Sequence, residues 1–234
     1  MIKVIIFDID NTLYSFDTAH QVAFGALLDY AQRELGVAPD ELRRLHREMN
    51  QELKGRMGSC AAIHNRLIRY QNILERLGKP LGHALRMSDL YWNTLLDAME
   101  PSPGAAETVR QLKAQGLKIG VGTDMTARMQ FIKLERLGLL PYIDFLVSSE
   151  EAQAEKPAPA LFARCVEKAG VRPAECLFVG DNLEKDVHGA QAAGLYALWY
   201  RPQGAAEETA EPFVTTLRQL PGLLAADGEI ERRS

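Results

Sequence analysis

Val4-Ile5-Ile6-Phe7-Asp8-Ile9-Asp10-Asn11-Thr12-Leu13 is the stretch on which the fold turns. Val4 to Phe7 lack the alternation of a half-wetted strand and read as a strand buried on both faces, the kind found in parallel sheets. Side chains alternate with period two along a strand, which puts Asp8 and Asp10 on one side if the strand continues. Asn11-Thr12 then supply turn chemistry. Two carboxylates are therefore expected at the C-terminal mouth of a central strand, where open α/β sheets bind ligands. Such a pair binds a cation or works as nucleophile and acid. The competing reading is a plain turn after a core strand, and the downstream chain decides between them.

After Leu13 the strand signal stops. Residues 18 to about 99 read as helix, with apolar residues at helical spacing in four segments. They predict an all-helical insert, a small bundle. Pro101-Ser102-Pro103-Gly104 ends it, and strand and helix then alternate. Strands are expected over 117–122, 143–147, 176–179 and 195–199. Helices are expected over 105–115, 126–137, 158–169 and 184–193, the third opened by Lys156-Pro157. Residues 148–155 read as a loop, 213–224 as containing a short helix, and 227–234 as a polar tail. Gly36, Gly138, Gly170 and Gly194 each precede an apolar residue, as in a left-handed helix stop with its hydrophobic contact. The alternation implies a doubly wound parallel sheet with right-handed crossovers. The expected domains are a discontinuous α/β core, 1–15 with 100–234, and a helical cap, 16–99, placed as a lid over the strand ends.

Composition limits the function classes. With 47% hydrophobic and 25% charged residues, the 234-residue chain can bury a sizeable core. A net charge of −4 without a long basic run argues against a general nucleic-acid or membrane-surface binder. Cys60, Cys165 and Cys176 form no Cys-x-x-Cys pair and predict a reduced, cytoplasmic protein without a disulfide frame or zinc site. Acids interrupt the N-terminal apolar run too early for a signal peptide, and no apolar stretch approaches a membrane span.

Four polar clusters fall at comparable places in the alternation. Asp8 and Asp10 follow the first strand, Thr123 the second, Lys156 the third, and Asp181 and Asp186 the fourth. In a parallel sheet those ends share one edge. Hard oxygen ligands without nearby His or Cys favour Mg²⁺. Thr123 and the N–H groups that start the next helix suit phosphate oxygens. Acids alone would repel a phosphate: at 4 Å and an effective dielectric near 20, each like-charge pair costs about 4 kcal/mol. A divalent cation and Lys156 supply the opposing charge.

The ordered set Asp8-Ile9-Asp10-Asn11-Thr12, Thr123, Lys156-Pro157 and Gly180-Asp181-Asn182 with Asp186 resembles the haloacid dehalogenase (HAD) superfamily, in the phosphatase branch with a helical cap inserted after the first motif. The resemblance implies a Rossmann-like core and a Mg²⁺-dependent phosphatase for a small phosphorylated metabolite, a sugar phosphate or nucleoside monophosphate. It implies Asp8 as the nucleophile that forms an aspartyl-phosphate and Asp10 as general acid and base. Asp8, Asp181 and the backbone carbonyl of Asp10 would hold the metal. Thr123, Asp124 and Lys156 would hold phosphate, with Asp186 and Asn182 behind them and Asp186 orienting Lys156 or a metal-bound water. Dehalogenase members lack an acid at the position of Asp10, because halide needs no proton on leaving, so Asp10 points to a phosphate ester. The family usually has Asn where this chain has Asp124; the expectation is that only its backbone N–H faces the phosphate.

Other readings follow from the same residues. A phosphomutase uses the same motifs, and a non-catalytic phospho-ligand sensor would keep the pocket without turnover. Gly120-Val121-Gly122 lacks the third glycine of a dinucleotide loop. His64, Arg56, Arg66 and Arg69 read as a solvated cap face, or some of them as reaching the substrate's leaving group; Tyr14 and Phe16 as hinge residues that touch substrate or simply pack the hinge; and Tyr91 and Trp92 as cap core or cap–core interface. No nucleic-acid or membrane partner is expected, and the chain is expected as a monomer or homodimer.

Overall fold

The computed structural model describes residues 1–204 and 210–225. They divide into two compact units, Met1–Ser15 with Glu100–Ser234, and Phe16–Met99.

Strand β1 (Val4–Phe7) opens the first unit. The second unit follows as helices α1 (Phe16–Tyr30), α2 (Pro39–Met57), α3 (Arg66–Leu77) and α4 (Gly82–Asp97). The chain then runs through α5 (Ala105–Ala114), β2 (Lys118–Thr123), α6 (Ala127–Arg136) and β3 (Phe145–Ser148). Next come α7 (Ser149–Ala152), α8 (Pro159–Ala169), β4 (Cys176–Gly180) and α9 (Gly189–Ala192). Strands β5 (Tyr196–Tyr200) and β6 (Phe213–Val214) and helix α10 (Leu220–Ala225) complete the described residues.

The sheet is parallel throughout, in the order β3-β2-β1-β4-β5-β6. The order reverses at β1, which pairs with β2 on one side and β4 on the other. That is the switch point at which such sheets open a crevice. Val4, Ile5, Ile6 and Phe7 are each at most 1% exposed, as a strand covered on both faces requires. Val4 and Ile6 pack with Phe162, Cys165 and Phe178 in one layer of the core. A Cβ on Gly120 would stand 2.2 Å from the Phe145 ring, and one on Gly122 would stand 2.8 Å from Phe178. The Gly-Val-Gly sequence is thus a packing device. Gly36, Gly138, Gly170 and Gly194 all take left-handed φ values after their helices, as a helix stop needs.

Several boundaries differ from the sequence reading, each for a local reason. Residues 148–155 are not all loop, because the Ser148 hydroxyl accepts from the N–H of Glu151 and caps α7. Lys156-Pro157, joined by a cis peptide bond, lies before α8, whose first residue is Pro159. The segment expected as a helix over 184–193 begins as wide π-helical turns at Leu183–His188, capped by the Asn182 side chain. Strand β6 is two residues long and carried no periodic signal. The expected tail, 227–234, lies outside the described residues. Among the described residues, no helix is long and apolar enough to cross a membrane.

In the second unit α1 packs on α4, α4 on α3 and α3 on α2. Arg66 and Arg69 are 5% and 4% exposed, not on a solvated face. Arg66 stacks over Tyr91 and Trp92, and Arg69 donates to Asn50 Oδ1 at 2.8 Å and to the Ile63 carbonyl at 3.0 Å. The rings of Tyr91 and Trp92 accept the Arg66 guanidinium face. Arg56 does sit outside, beside Glu52 and Asn72. Phe16 stacks on His20, one turn along α1.

Candidate active site

The strand ends bring Asp8, Lys156, Asp181 and Asp186 together. Lys156 follows β3 and is almost fully buried; its Nζ lies 2.7 Å from Asp8 Oδ1 and 2.7 Å from Asp186 Oδ1. Carboxylate oxygens of Asp8, Asp181 and Asp186 all lie within 4.8 Å of one another. Gly180 makes the close approach possible, since a Cβ there would stand 2.4 Å from the Asp186 carboxylate. Asp186 Oδ2 also accepts from the N–H of Asn182 at 2.9 Å. The Trp199 indole donates to the Asp181 carbonyl at 2.7 Å and fixes the backbone there.

Three acids share one lysine, and the electrostatics show it. Burial pushes the Asp8 carboxyl up to about 8 against the pull of Lys156, with Asp186, Asp181 and Asp10 adding to the rise. Burial, then Asp186, lifts Asp181 to about 7. For Lys156 burial acts downward, but Asp186, Asp8 and Asp124 outweigh it and raise the ammonium well above its usual value. The cluster therefore has more negative charge than its protein partners neutralise. Three hard oxygen donors with uncompensated charge fit a divalent cation such as Mg²⁺.

The Asp10 carboxylate is not in that group. Lys133 on α6 reaches it with Nζ at 2.6 Å from Oδ1 and 2.9 Å from Oδ2. The Tyr14 hydroxyl donates to Oδ1, and Gln130 Nε2 approaches Oδ2 at 3.4 Å. Burial acts to raise this carboxyl, yet Lys133, Tyr14 and Gln130 together hold it below the usual carboxylate range. Tyr14 is fully buried with its hydroxyl on Asp10, which fits the hinge-packing reading of its position.

Thr123 ends β2 fully buried; its hydroxyl accepts from Gln130 Nε2 at 2.7 Å and donates to the Asp124 carbonyl at 3.3 Å. Asp124 is more engaged than a backbone-only role implies. Its Oδ1 accepts from the N–H of Lys156 at 2.9 Å, and its Oδ2 meets Lys185 Nζ at 2.9 Å. Lys185, 61 residues away in sequence, balances the charge that an Asn would not carry. Asn182 uses its side chain as a helix cap toward Lys185 N–H, and only its backbone touches Asp186.

Sequence reasoning missed Lys133, Gln130 and Lys185. A signal existed for the first: Lys133 sits four residues from both Met129 and Leu137, on the apolar stripe of α6, where an unpaired lysine is out of place.

A model of the family described as haloacid dehalogenase-like hydrolase matches residues 2–194. The chain is 35% identical to the ribulose-1,5-bisphosphate 5-phosphatase of Halopiger xanaduensis, across 96% of this chain and 100% of that one. It is 33% identical to a glyceraldehyde 3-phosphate phosphatase of Methanopyrus kandleri, across 86% and 84%. Among solved structures, a HAD phosphatase from Thermococcus onnurineus matches with a TM-score of 0.73 at 28% identity, covering 98% of this chain and 99% of that one.

Proposed function

The chain belongs to the haloacid dehalogenase-like hydrolases as a phosphoric monoester hydrolase, and from that premise we propose that it is a cytoplasmic, Mg²⁺-dependent phosphatase of a small phosphorylated metabolite. The observation that carries the proposal is Lys156 bridging Asp8 and Asp186 beside Asp181 at the switch point of the sheet. Asp8 and Asp181, with Asp186 beside them, would hold the metal, joined on the family resemblance by the Asp10 backbone carbonyl. A bound Mg²⁺ would supply positive charge to offset that of the phosphoryl oxygens.

The protein's own groups account for the rest. An Asp8 carboxylate oxygen attacks phosphorus, the ester P–O bond breaks, and the alcohol oxygen leaves with its electron pair. Asp10 protonates that alkoxide, then takes a proton from the water that attacks the aspartyl-phosphate. Phosphate departs and the Asp8 carboxylate is restored. Over successive turnovers the proton taken from water is the one delivered to alkoxide, so the cycle balances. Lys156 and the N–H groups around Thr123 and Asp124 would bind the phosphoryl oxygens, and Lys156 stays charged to do so.

The relatives' names narrow the substrates to test: ribulose-1,5-bisphosphate and glyceraldehyde 3-phosphate, with a pyrimidine nucleoside monophosphate as a contrasting ester. Phosphate release is measured with Mg²⁺ and with chelator. The proposal expects metal-dependent release from at least one ester. Release that ignores chelator, an isomerised ester in place of free phosphate, or binding without turnover would overturn it.

A further inference from the structure

We propose that Lys133 is a positioning residue for the water-attack half of the reaction: it locks the Asp10 carboxylate in the orientation needed to take a proton from the water that cleaves the aspartyl-phosphate. The inference rests on the phosphatase reading above. Lys133 has 0% of its side chain exposed, while Asp10 keeps 26%. A buried ammonium is retained only where a specific charge answers it, and an apolar residue would serve packing better. Here Nζ binds both Asp10 oxygens, and two further donors act on the same group, one from the segment after β1 and one from α6 itself. Tyr14 holds Oδ1 from the segment that follows β1. Gln130, one helical turn before Lys133, reaches Oδ2 and also donates to Thr123 Oγ1 at 2.7 Å and the Asp124 carbonyl at 2.7 Å. Gln130 thus ties the Asp10 carboxylate to the segment expected to hold phosphate. A carboxylate gripped on one edge from three sides cannot rotate, and its exposed part presents a single direction to a water. Lys133 acts on the Asp10 carboxylate, so with an ester whose leaving group needs no proton its removal is expected to spare the phosphorylation of Asp8.

The test uses p-nitrophenyl phosphate with Mg²⁺, because its phenolate leaves without a proton and the first half-reaction does not need Asp10. Lys133→Met is expected to lower kcat about 10²-fold, the scale of one general base, with kcat/KM within about threefold of wild type. KM falls in step with kcat, and rapid mixing shows a burst of one nitrophenol per enzyme as the aspartyl-phosphate accumulates. Lys133→Arg, which keeps the charge and the two-oxygen grip, is expected to recover most of kcat. A parallel fall in kcat and kcat/KM without a burst, wild-type kinetics in Lys133→Met, or an arginine variant no better than methionine would overturn the inference. If Lys133→Met does not fold, Lys133→Gln and Lys133→Arg carry the same comparison. Failure of the wild type to release nitrophenol at all would strike the phosphatase reading, and the inference with it.

Discussion

Asp8 and Asp10 leave the same strand two residues apart, yet they stand in opposite electrostatic surroundings. On the β4 side, Asp8, Asp181 and Asp186 share Lys156, and burial drives two of the three carboxyls up to about 8 and 7. On the β2 side, Lys133, Tyr14 and Gln130 all act on Asp10, which is held below the usual range. The side with excess negative charge is the one that suits a cation, and the balanced side suits a base that must keep a fixed direction. One strand end thereby offers a place for metal and phosphoryl chemistry and another for proton transfer.

The comparison breaks most severely if Lys156 is dispensable. Lys156→Met leaves the buried Asp8 and Asp186 without their shared ammonium, and it is expected to destabilise the metal-free protein by about 3–5 kcal/mol in urea titrations at pH 8. It is also expected to abolish measurable phosphate release. Retained activity would mean that the shared-lysine picture is wrong.

Metal should distinguish the two sides. Asp181→Asn is expected to raise the Mg²⁺ concentration needed for half-maximal activity by about tenfold or more, in line with losing a direct ligand. Asp10→Asn should lower kcat while leaving that concentration within about threefold, since its carboxylate is absent from the acidic group. Equal effects would erase the distinction.

A pH series sharpens it further. Asp8 and Asp181 bind protons more tightly in the folded state than their ordinary 3.8, so their contribution to stability is complete below that value and is lost as pH rises through about 7 to 8. The metal-free melting temperature should therefore fall between pH 5.5 and 8.5. The gain in melting temperature on adding Mg²⁺ should be larger at pH 8.5, because protons no longer compete for the same carboxylates. An equal gain at both pH values would contradict the charge-excess account.

The smallest effect is expected at Asp124. Its partner Lys185 is 41% exposed, and such an ion pair contributes at most about 1 kcal/mol. Asp124→Asn keeps an acceptor for the N–H of Lys156, and KM is expected to change by no more than about threefold, a scale of under 1 kcal/mol. A large gain in substrate affinity would show that the carboxylate repels phosphate despite Lys185.

What the sequence disclosed follows the same division. The Asp8 side was legible because Asp8 and Asp181 sit directly after apolar runs, where polarity stands out, and Lys156 and Asp186 follow in the connections after strands. The parallel, doubly wound sheet needed only the alternation of elements with glycine stops, whereas the order of its strands came from the structure. The Asp10 side was hidden because Lys133 and Gln130 lie inside a helix, where a lysine normally reads as solvated surface. Arg66 and Arg69 were misplaced for the same reason, the first stacking on aromatic rings of another helix and the second donating to Asn50 and the Ile63 carbonyl. Asp124 stayed ambiguous until Lys185 supplied a counter-charge from across the sheet edge.

The most direct test of the central claim is acid quenching of Asp10→Asn during turnover of p-nitrophenyl phosphate with Mg²⁺, followed by peptide mass analysis. The account predicts one phosphoryl group on the peptide containing Asp8, lost in the Asp8→Asn, Asp10→Asn double variant. A phosphoryl group on another residue, or phosphate release by the double variant at the rate of Asp10→Asn alone, would contradict it.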